Sequence, residues 1–117
     1  MAGVEDVPLT GGNSNAPVRR GNAVHRIAGP WTPTIHRLLD HAADRGIDWL
    51  PRPLALDEAG REVLTYLPGS VPAYPMPPEV WADPLLMQAA MLLRAFHDAT
   101  ADFPRAGAVW QQPGWPR

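Results

Sequence analysis

The chain has no cysteine, so disulfide bonds, thiolate nucleophiles and cysteine metal ligands are all excluded. It also has no lysine, and its 10 basic residues are all arginine. With a formal net charge of −2, the sequence gives no electrostatic reason to expect binding to nucleic acid or to an anionic membrane. No apolar run is long enough to cross a bilayer, and the acidic residues 1–6 lack the apolar core of a signal peptide. We therefore expect a cytoplasmic protein.

A length of 117 residues suits one small domain or one lobe of a two-lobed enzyme. Short strand-like runs separated by turn residues dominate the first half of the chain, and Gly21-Asn22 is typical of a tight hairpin connection. Neighbouring strands joined by tight turns predict an antiparallel sheet of about five strands, covered by one helix, in an α+β fold. The predicted strands cover residues 7–9, 17–20, 23–27, 53–56 and 61–67.

The covering helix is predicted to begin with Thr32 as its N-cap and Pro33 in its first turn, and to stop at Gly46. A second, longer helix is expected over residues 83–100, with Asp83 as its cap. Between the two halves, the prolines of residues 68–78 predict a stiff extended linker. We accordingly divide the chain into a lobe at 1–69, a linker at 70–82 and the start of a second lobe at 83–117.

The helix over residues 83–100 carries apolar side chains all round its cylinder rather than along one stripe. Such a helix is stable only when it is buried on several sides. The sheet and first helix can cover one side of it at most. We therefore expect this helix to drive self-association, to bind a partner chain, or to be poorly ordered.

Five local sequences carry a family resemblance: residues 9–13, 24–26, 28–33, 60–69 and 92–98. Taken in order, they resemble the aminoglycoside phosphotransferase family, whose members have a kinase-like fold. Among its members, the chain looks most like the actinobacterial-type trifolitoxin-immunity-like phosphotransferases. The resemblance extends from about residue 9 to residue 110, nearly the whole chain, and implies an N-terminal lobe that binds ATP or GTP. Magnesium would be held only in a complete family member.

The resemblance implies a phosphate cradle at Gly11, Gly12 and Asn13, because backbone N–H groups in a glycine loop can approach phosphate closely. A polar hairpin turn explains the same residues equally well. The resemblance also implies a hinge between lobes at Thr65, Tyr66 and Leu67. This hinge would contact the base through the Thr65 carbonyl and the Leu67 N–H. A strand that simply ends before Pro-Gly is the alternative.

Strand alternation places Val24 and Arg26 on one face of the third strand, with His25 and Ile27 on the other. By resemblance Val24 covers the base, Val18 on the neighbouring strand completes that apolar roof, and Arg26 supplies the cation for the phosphates. A guanidinium suits phosphate oxygens, although a solvated strand arginine is the ordinary alternative.

The family pairs this cation with an acid on the following helix, where this chain has His36 at about the expected place. An ordinary surface pair between His36 and Asp40, four residues apart, is the interpretation we favour from the sequence. His97 on the long helix is expected to be buried with a partner. Asp102-Phe103-Pro104 lies too early and has proline in place of glycine, so we do not assign it a metal-binding role.

The family's catalytic loop, H-x-D-x-x-x-x-N, is missing from this sequence, whose last asparagine is Asn22. No D-x-D metal motif follows either. The sequence therefore favours a truncated or split nucleotide-binding lobe without catalytic or metal-binding residues of its own. Two alternatives stay open: a binding or immunity-type protein that has lost the chemistry, and a structural protein that docks through its long helix.

We predict that this chain alone transfers no phosphate from ATP or GTP to any acceptor. Phosphoryl transfer needs an oriented nucleophile and compensated phosphate charge, and neither the catalytic aspartate nor the metal ligands are present. The measurement is product release by the purified chain against a buffer blank. Steady release above the blank that copurifies with the protein would contradict the prediction.

Overall fold

The computed structural model describes residues 5–9, 16–69 and 76–111. The described residues form an α+β fold with a five-stranded antiparallel sheet in the order β1-β2-β3-β5-β4, which confirms the predicted fold class and sheet. Besides two α-helices, the described residues contain one short 3-10 turn, Pro78–Trp81, inside the predicted linker 70–82. The elements are β1 Asp6–Pro8, β2 Val18–Arg20, β3 Ala23–Arg26, α1 Thr32–Asp44, β4 Pro53–Leu56, β5 Glu62–Thr65 and α2 Asp83–Thr100.

The first predicted hairpin is present, with β2 and β3 joined by a turn at Gly21 and Asn22. Gly21 has a φ of 62°, in the left-handed region that favours glycine. β3 then pairs with β5, and the Asn22 carbonyl accepts the Tyr66 N–H at 2.9 Å just beyond the ladder. β3 thus lies at the centre of the sheet and is paired along both of its edges.

Asp57 organises the turn between β4 and β5. Its Oδ1 accepts the backbone N–H groups of Ala59 at 2.8 Å and Arg61 at 2.9 Å. Its Oδ2 lies 2.7 Å from His25 Nδ1 and accepts Arg61 Nε at 2.9 Å. The side chains of Asp57 and His25 are only 2% and 7% exposed, so this carboxylate ties the turn to the middle of β3 from within the fold.

Helix α1 ends as predicted and begins differently. At its C-terminus Gly46 has a φ of 89°, and the N–H groups of Gly46 and Ile47 bond back to the carbonyls of Ala43 and Ala42. At its N-terminus Thr32 is not the cap. Its hydroxyl accepts the Gly29 N–H at 2.9 Å, which closes the preceding turn instead.

The hydrophobic core is small and lies between the sheet, α1 and the residues after α2. Phe103 packs edge-on against the His41 ring, with 5.4 Å between centroids. The hydroxyl of the buried Thr34 accepts the Val109 N–H at 2.9 Å, so the final described segment is held against α1. The buried apolar residues are Ala42, Ile47, Val63, Leu64 and Phe103.

Helix α2 has the predicted bounds, but it buries no residue among those described. Met87 and Met91 are 64% and 69% exposed, and His97, expected to be buried with a partner, is also exposed. The predicted Asp83 cap is absent as well, since Ala82 is the N-cap and makes no side-chain bond. In the described part of the chain no helix is long and apolar enough to cross a membrane. Among the described elements, α2 contacts α1 and the 3-10 turn that precedes it.

We predict that Asp57→Asn makes the stability of the protein fall less steeply as the pH is lowered. The His25 hydrogen bond, followed by backbone N–H bonds, holds the pKa of Asp57 well below its usual 3.8. A carboxyl whose pKa is lower in the folded state stabilises the fold above its unfolded pKa and loses that contribution as the pH falls. Thermal melts from about pH 6 to pH 3 should show a steeper fall in Tm for the wild type than for Asp57→Asn.

Asp40→Asn is the matched control, because Asp40 is 58% exposed and its nearest cation, Arg52 Nη2, is 3.9 Å away. This variant should follow the wild-type pH dependence. Parallel curves for the wild type and Asp57→Asn would show that the buried carboxylate contributes nothing to acid stability.

Candidate functional site

One face of the sheet gathers the charged residues that the sequence singles out, together with others that it does not. Direct partners across antiparallel strands share a face. Arg19 lies opposite Val24, Val24 opposite Leu64, and Arg26 opposite Glu62. We call the face that carries these five residues the α1 face, because α1 reaches it through His36. The predicted sharing of a face by Val24 and Arg26 is confirmed by this register.

Glu62 is the centre of the α1 face. Its side chain is 3% exposed, and both oxygens are paired: Oε1 accepts Arg26 Nε, and Oε2 lies 2.8 Å from His36 Nε2. A carboxylate buried without such partners would be strongly destabilising. The Arg26 side chain remains 30% exposed. The arrangement fixes a guanidinium at one point of the sheet while leaving part of it open to solvent.

The acid that holds Arg26 therefore comes from β5 and not from the helix. The favoured pair between His36 and Asp40 is also wrong, since His36 bonds Glu62 and Asp40 lies nearest to Arg52. Sequence reasoning missed Glu62 because its partners are 36 and 26 positions away. The available signal was the strand pairing itself, which sets Glu62 directly opposite Arg26.

Val18 does not lie beside Val24. It is opposite His25, and alternation therefore places it on the other face of the sheet. The residue beside Val24 is Arg19, whose Nε donates to the Gly21 carbonyl at 2.8 Å. The guanidinium carbon of Arg19 lies 3.9 Å from the centre of the Tyr66 ring, a cation–π contact.

The residues of the predicted hinge lie at the end of β5. Thr65 donates its N–H to the Arg52 carbonyl at 2.9 Å, and its hydroxyl accepts the Arg52 N–H at 2.8 Å. Tyr66 is tied to β3, and Leu67 is 47% exposed. Gly11, Gly12 and Asn13 lie outside the described residues. The strands on either side of their loop are joined by a bond of 3.0 Å from Leu9 N–H to the Pro17 carbonyl.

The opposite face carries a separate set of ion pairs. Arg20 bonds both oxygens of Asp6, at 2.7 and 3.1 Å, and also reaches Glu58 at 3.1 Å. The hydrogen bond from Arg20 lowers the pKa of Asp6, and the bond to Asp6 raises the pKa of Arg20. Among the described residues no group of three or more histidine, aspartate or glutamate side chains is placed to hold a metal ion. These pairs tie β1 and the β4–β5 turn to β2.

Comparison with known proteins finds a relative for nearly the whole chain. The chain is 36% identical, over 110 residues, to a trifolitoxin immunity protein of Rhizobium leguminosarum bv. trifolii. That alignment covers 92% of this chain and 41% of the relative, so the chain spans less than half the relative's length. No family model matches the sequence. No solved structure matches it either.

We predict that Glu62→Ala lowers the free energy of unfolding by about 2–3 kcal/mol, because Arg26 and His36 both lose their buried partner. The value is below the usual range for a buried pair because Arg26 is partly exposed. Denaturant unfolding followed by circular dichroism measures it.

Glu58→Ala is the control, since the Glu58 side chain is 73% exposed and its single bond to Arg20 is at the surface. Its effect should lie within about 0.5 kcal/mol of zero. Equal losses for the two variants would show that the Glu62 cluster has no special role in the fold.

Proposed function

We propose that this chain is the nucleotide-binding part of a protein related to the aminoglycoside phosphotransferases. The observation that carries the proposal is Arg26, held on the α1 face by the buried carboxylate of Glu62. A kinase-like lobe needs a cation at this point of its central strand to meet the phosphates. Here Glu62 and His36 take the structural role that an acid on the helix has in the family.

The chemistry of Arg26 suits this use. Its Nε is engaged by Glu62, while the side chain is 30% exposed and guanidinium N–H groups form bidentate bonds with phosphate oxygens. A buried, fully paired carboxylate fixes the guanidinium before a ligand arrives, which lowers the entropic cost of binding. Most surface arginines have no such support.

The dimensions of the α1 face also support the proposal. Glu62 lies opposite Arg26, and Tyr66 follows Glu62 by four residues. In extended backbone these four residues span about 13 Å. This is the order of separation between the base and the terminal phosphate of an extended nucleotide. Phosphates at Arg26 would therefore place the base near Val24 and the start of the hinge. The phosphate-binding role of Gly11, Gly12 and Asn13 belongs to the same proposal.

The remaining machinery of phosphoryl transfer is assigned to sequence outside these 117 residues. The relative is more than twice as long as the aligned segment, which leaves room for a second lobe there. A catalytic aspartate and magnesium ligands would come from that lobe. The division at 1–69, 70–82 and 83–117 follows the same proposal, with α2 as the first helix of the second lobe.

A second candidate function is an immunity-type binding protein without catalytic activity. The relative's name favours it, since that protein is named for immunity to trifolitoxin. The exposed apolar side chains of α2 give this candidate a physical basis, because large uncovered apolar surfaces are typical of partner-binding sites. It needs no nucleotide, so a nucleotide titration separates the two candidates.

We predict weak binding of ATP or GTP by the chain, with a dissociation constant in roughly the millimolar range, near −4 kcal/mol. Arg26→Ala should weaken binding at least about tenfold, because charge-assisted bonds to the phosphates are lost. Ligand-observed NMR titration suits such affinities. Arg94→Ala is the control, since Arg94 is 79% exposed on α2 and should not change the titration.

Equal titrations for the wild type and Arg26→Ala, in variants that keep the wild-type circular dichroism spectrum, would remove Arg26 from the phosphate site. Failure of every nucleotide to bind the wild type would leave the immunity-type candidate in its place.

A further inference from the structure

Arg19 occupies the position on the α1 face that an apolar side chain was expected to fill. The register sets it beside Val24, and its guanidinium carbon lies 3.9 Å from the centre of the Tyr66 ring. Strand pairing does not require an arginine there, since the one side-chain hydrogen bond that Arg19 makes in the described chain is from Nε to the Gly21 carbonyl. Among the described residues, the terminal nitrogens of Arg19 donate to no other group.

We propose that Arg19 selects the base and makes this site prefer guanine nucleotides to adenine nucleotides. The inference rests on the proposed nucleotide function and concerns the hinge end of the same face. Arg19 lies level with Val24, two residues or about 7 Å of strand from Arg26, and the Gly21 bond and the Tyr66 ring hold its guanidinium toward the hinge. The base of a nucleotide bound through its phosphates at Arg26 would lie at this hinge end of the face.

The preference follows from donor and acceptor chemistry. Arginine carries only donors. Guanine presents two acceptors, O6 and N7, on one edge, and arginine bonds both at once. Adenine presents the N7 acceptor beside the N6 amino donor, so the second arginine N–H would face another donor. One good bidentate contact is worth enough to make GTP bind at least about fivefold tighter than ATP.

The position of Arg19 also distinguishes this contact from general attraction between an arginine and a triphosphate. β2 and β3 run antiparallel, and Arg19 is set level with Val24, two residues from Arg26 on the hinge side. The Arg26 side chain is tied to Glu62 at the other end of the face. A nucleotide whose phosphates are held at Arg26 would therefore meet Arg19 with its base end.

The test is a set of NMR titrations with GTP, ATP, ITP and 7-deaza-GTP. We expect GTP and ITP, which share O6 and N7, to bind alike and at least about fivefold more tightly than ATP. Loss of N7 in 7-deaza-GTP should remove most of that advantage. Arg19→Met, which keeps the aliphatic stem and removes the donors, should bind all four nucleotides equally.

Two further variants separate the possible failures. Arg19→Lys keeps the charge but not the fork, so it should lose the preference for GTP; if it retains the preference, charge rather than bidentate reading is responsible and the inference is wrong. Arg26→Ala should weaken GTP and ATP by the same factor. Equal binding of GTP and ATP to the wild type, with both weakened by Arg26→Ala, would overturn the base selection and keep the nucleotide site. Absence of binding by any of the four would overturn both.

Discussion

The burial of one carboxylate, that of Glu62, is the constraint on which the arrangement of β3, β5 and α1 depends. A charge that is nearly solvent-free must be paired, and Glu62 draws one partner from the neighbouring strand and one from the helix. The helix cannot slide along the sheet without breaking the His36 bond, and β3 cannot shift its register without moving Arg26 off Glu62. In a fold whose apolar core has only a handful of buried side chains, such a polar centre sets positions that packing alone leaves loosely defined.

Local sequence signals were sufficient for the elements and insufficient for their side-chain partners. Gly21 and Asn22 predicted a hairpin, and Gly46 predicted a helix end, because each acts through its own backbone. The predicted Thr32 N-cap is wrong because the Thr32 hydroxyl accepts the Gly29 N–H instead. Helix-capping preferences do not describe this competing bond. The predicted pair of His36 with Asp40 is wrong for a similar reason. An i,i+4 partner at Asp40 was visible in the sequence, whereas Glu62, 26 positions away, becomes a neighbour only through the fold.

The face of the sheet on which a residue lies depends on the strand register, and a shift of one residue reverses it. Val24 and Arg26 were correctly placed together, since alternation within one strand needs no knowledge of its neighbours. Val18 and Arg19 are adjacent on β2, and only the pairing with β3 determines which of them lies beside Val24. A shift of one residue would have supplied the apolar roof expected from the family. The observed register supplies a guanidinium instead, and this adds hydrogen-bond donors beside Val24, where only apolar groups were expected.

Helix α2 carries more apolar side chains than the described residues around it cover. Its neighbours in the fold are the 3-10 turn before it and α1, and none of its side chains is buried. The residues after it are anchored well, since Asp102 bonds Arg45 and His41 and Phe103 enters the core. A helix fixed at one end and bare along its length gains little from its apolar side chains within this chain. Both candidate functions give those side chains a use, as the inner surface of a second lobe or as a surface for another protein. They differ in what the α1 face does: in the proposed nucleotide-binding lobe Arg26 meets the phosphates and Arg19 the base, whereas in the immunity-type candidate the pair of Arg26 with Glu62 serves the fold alone.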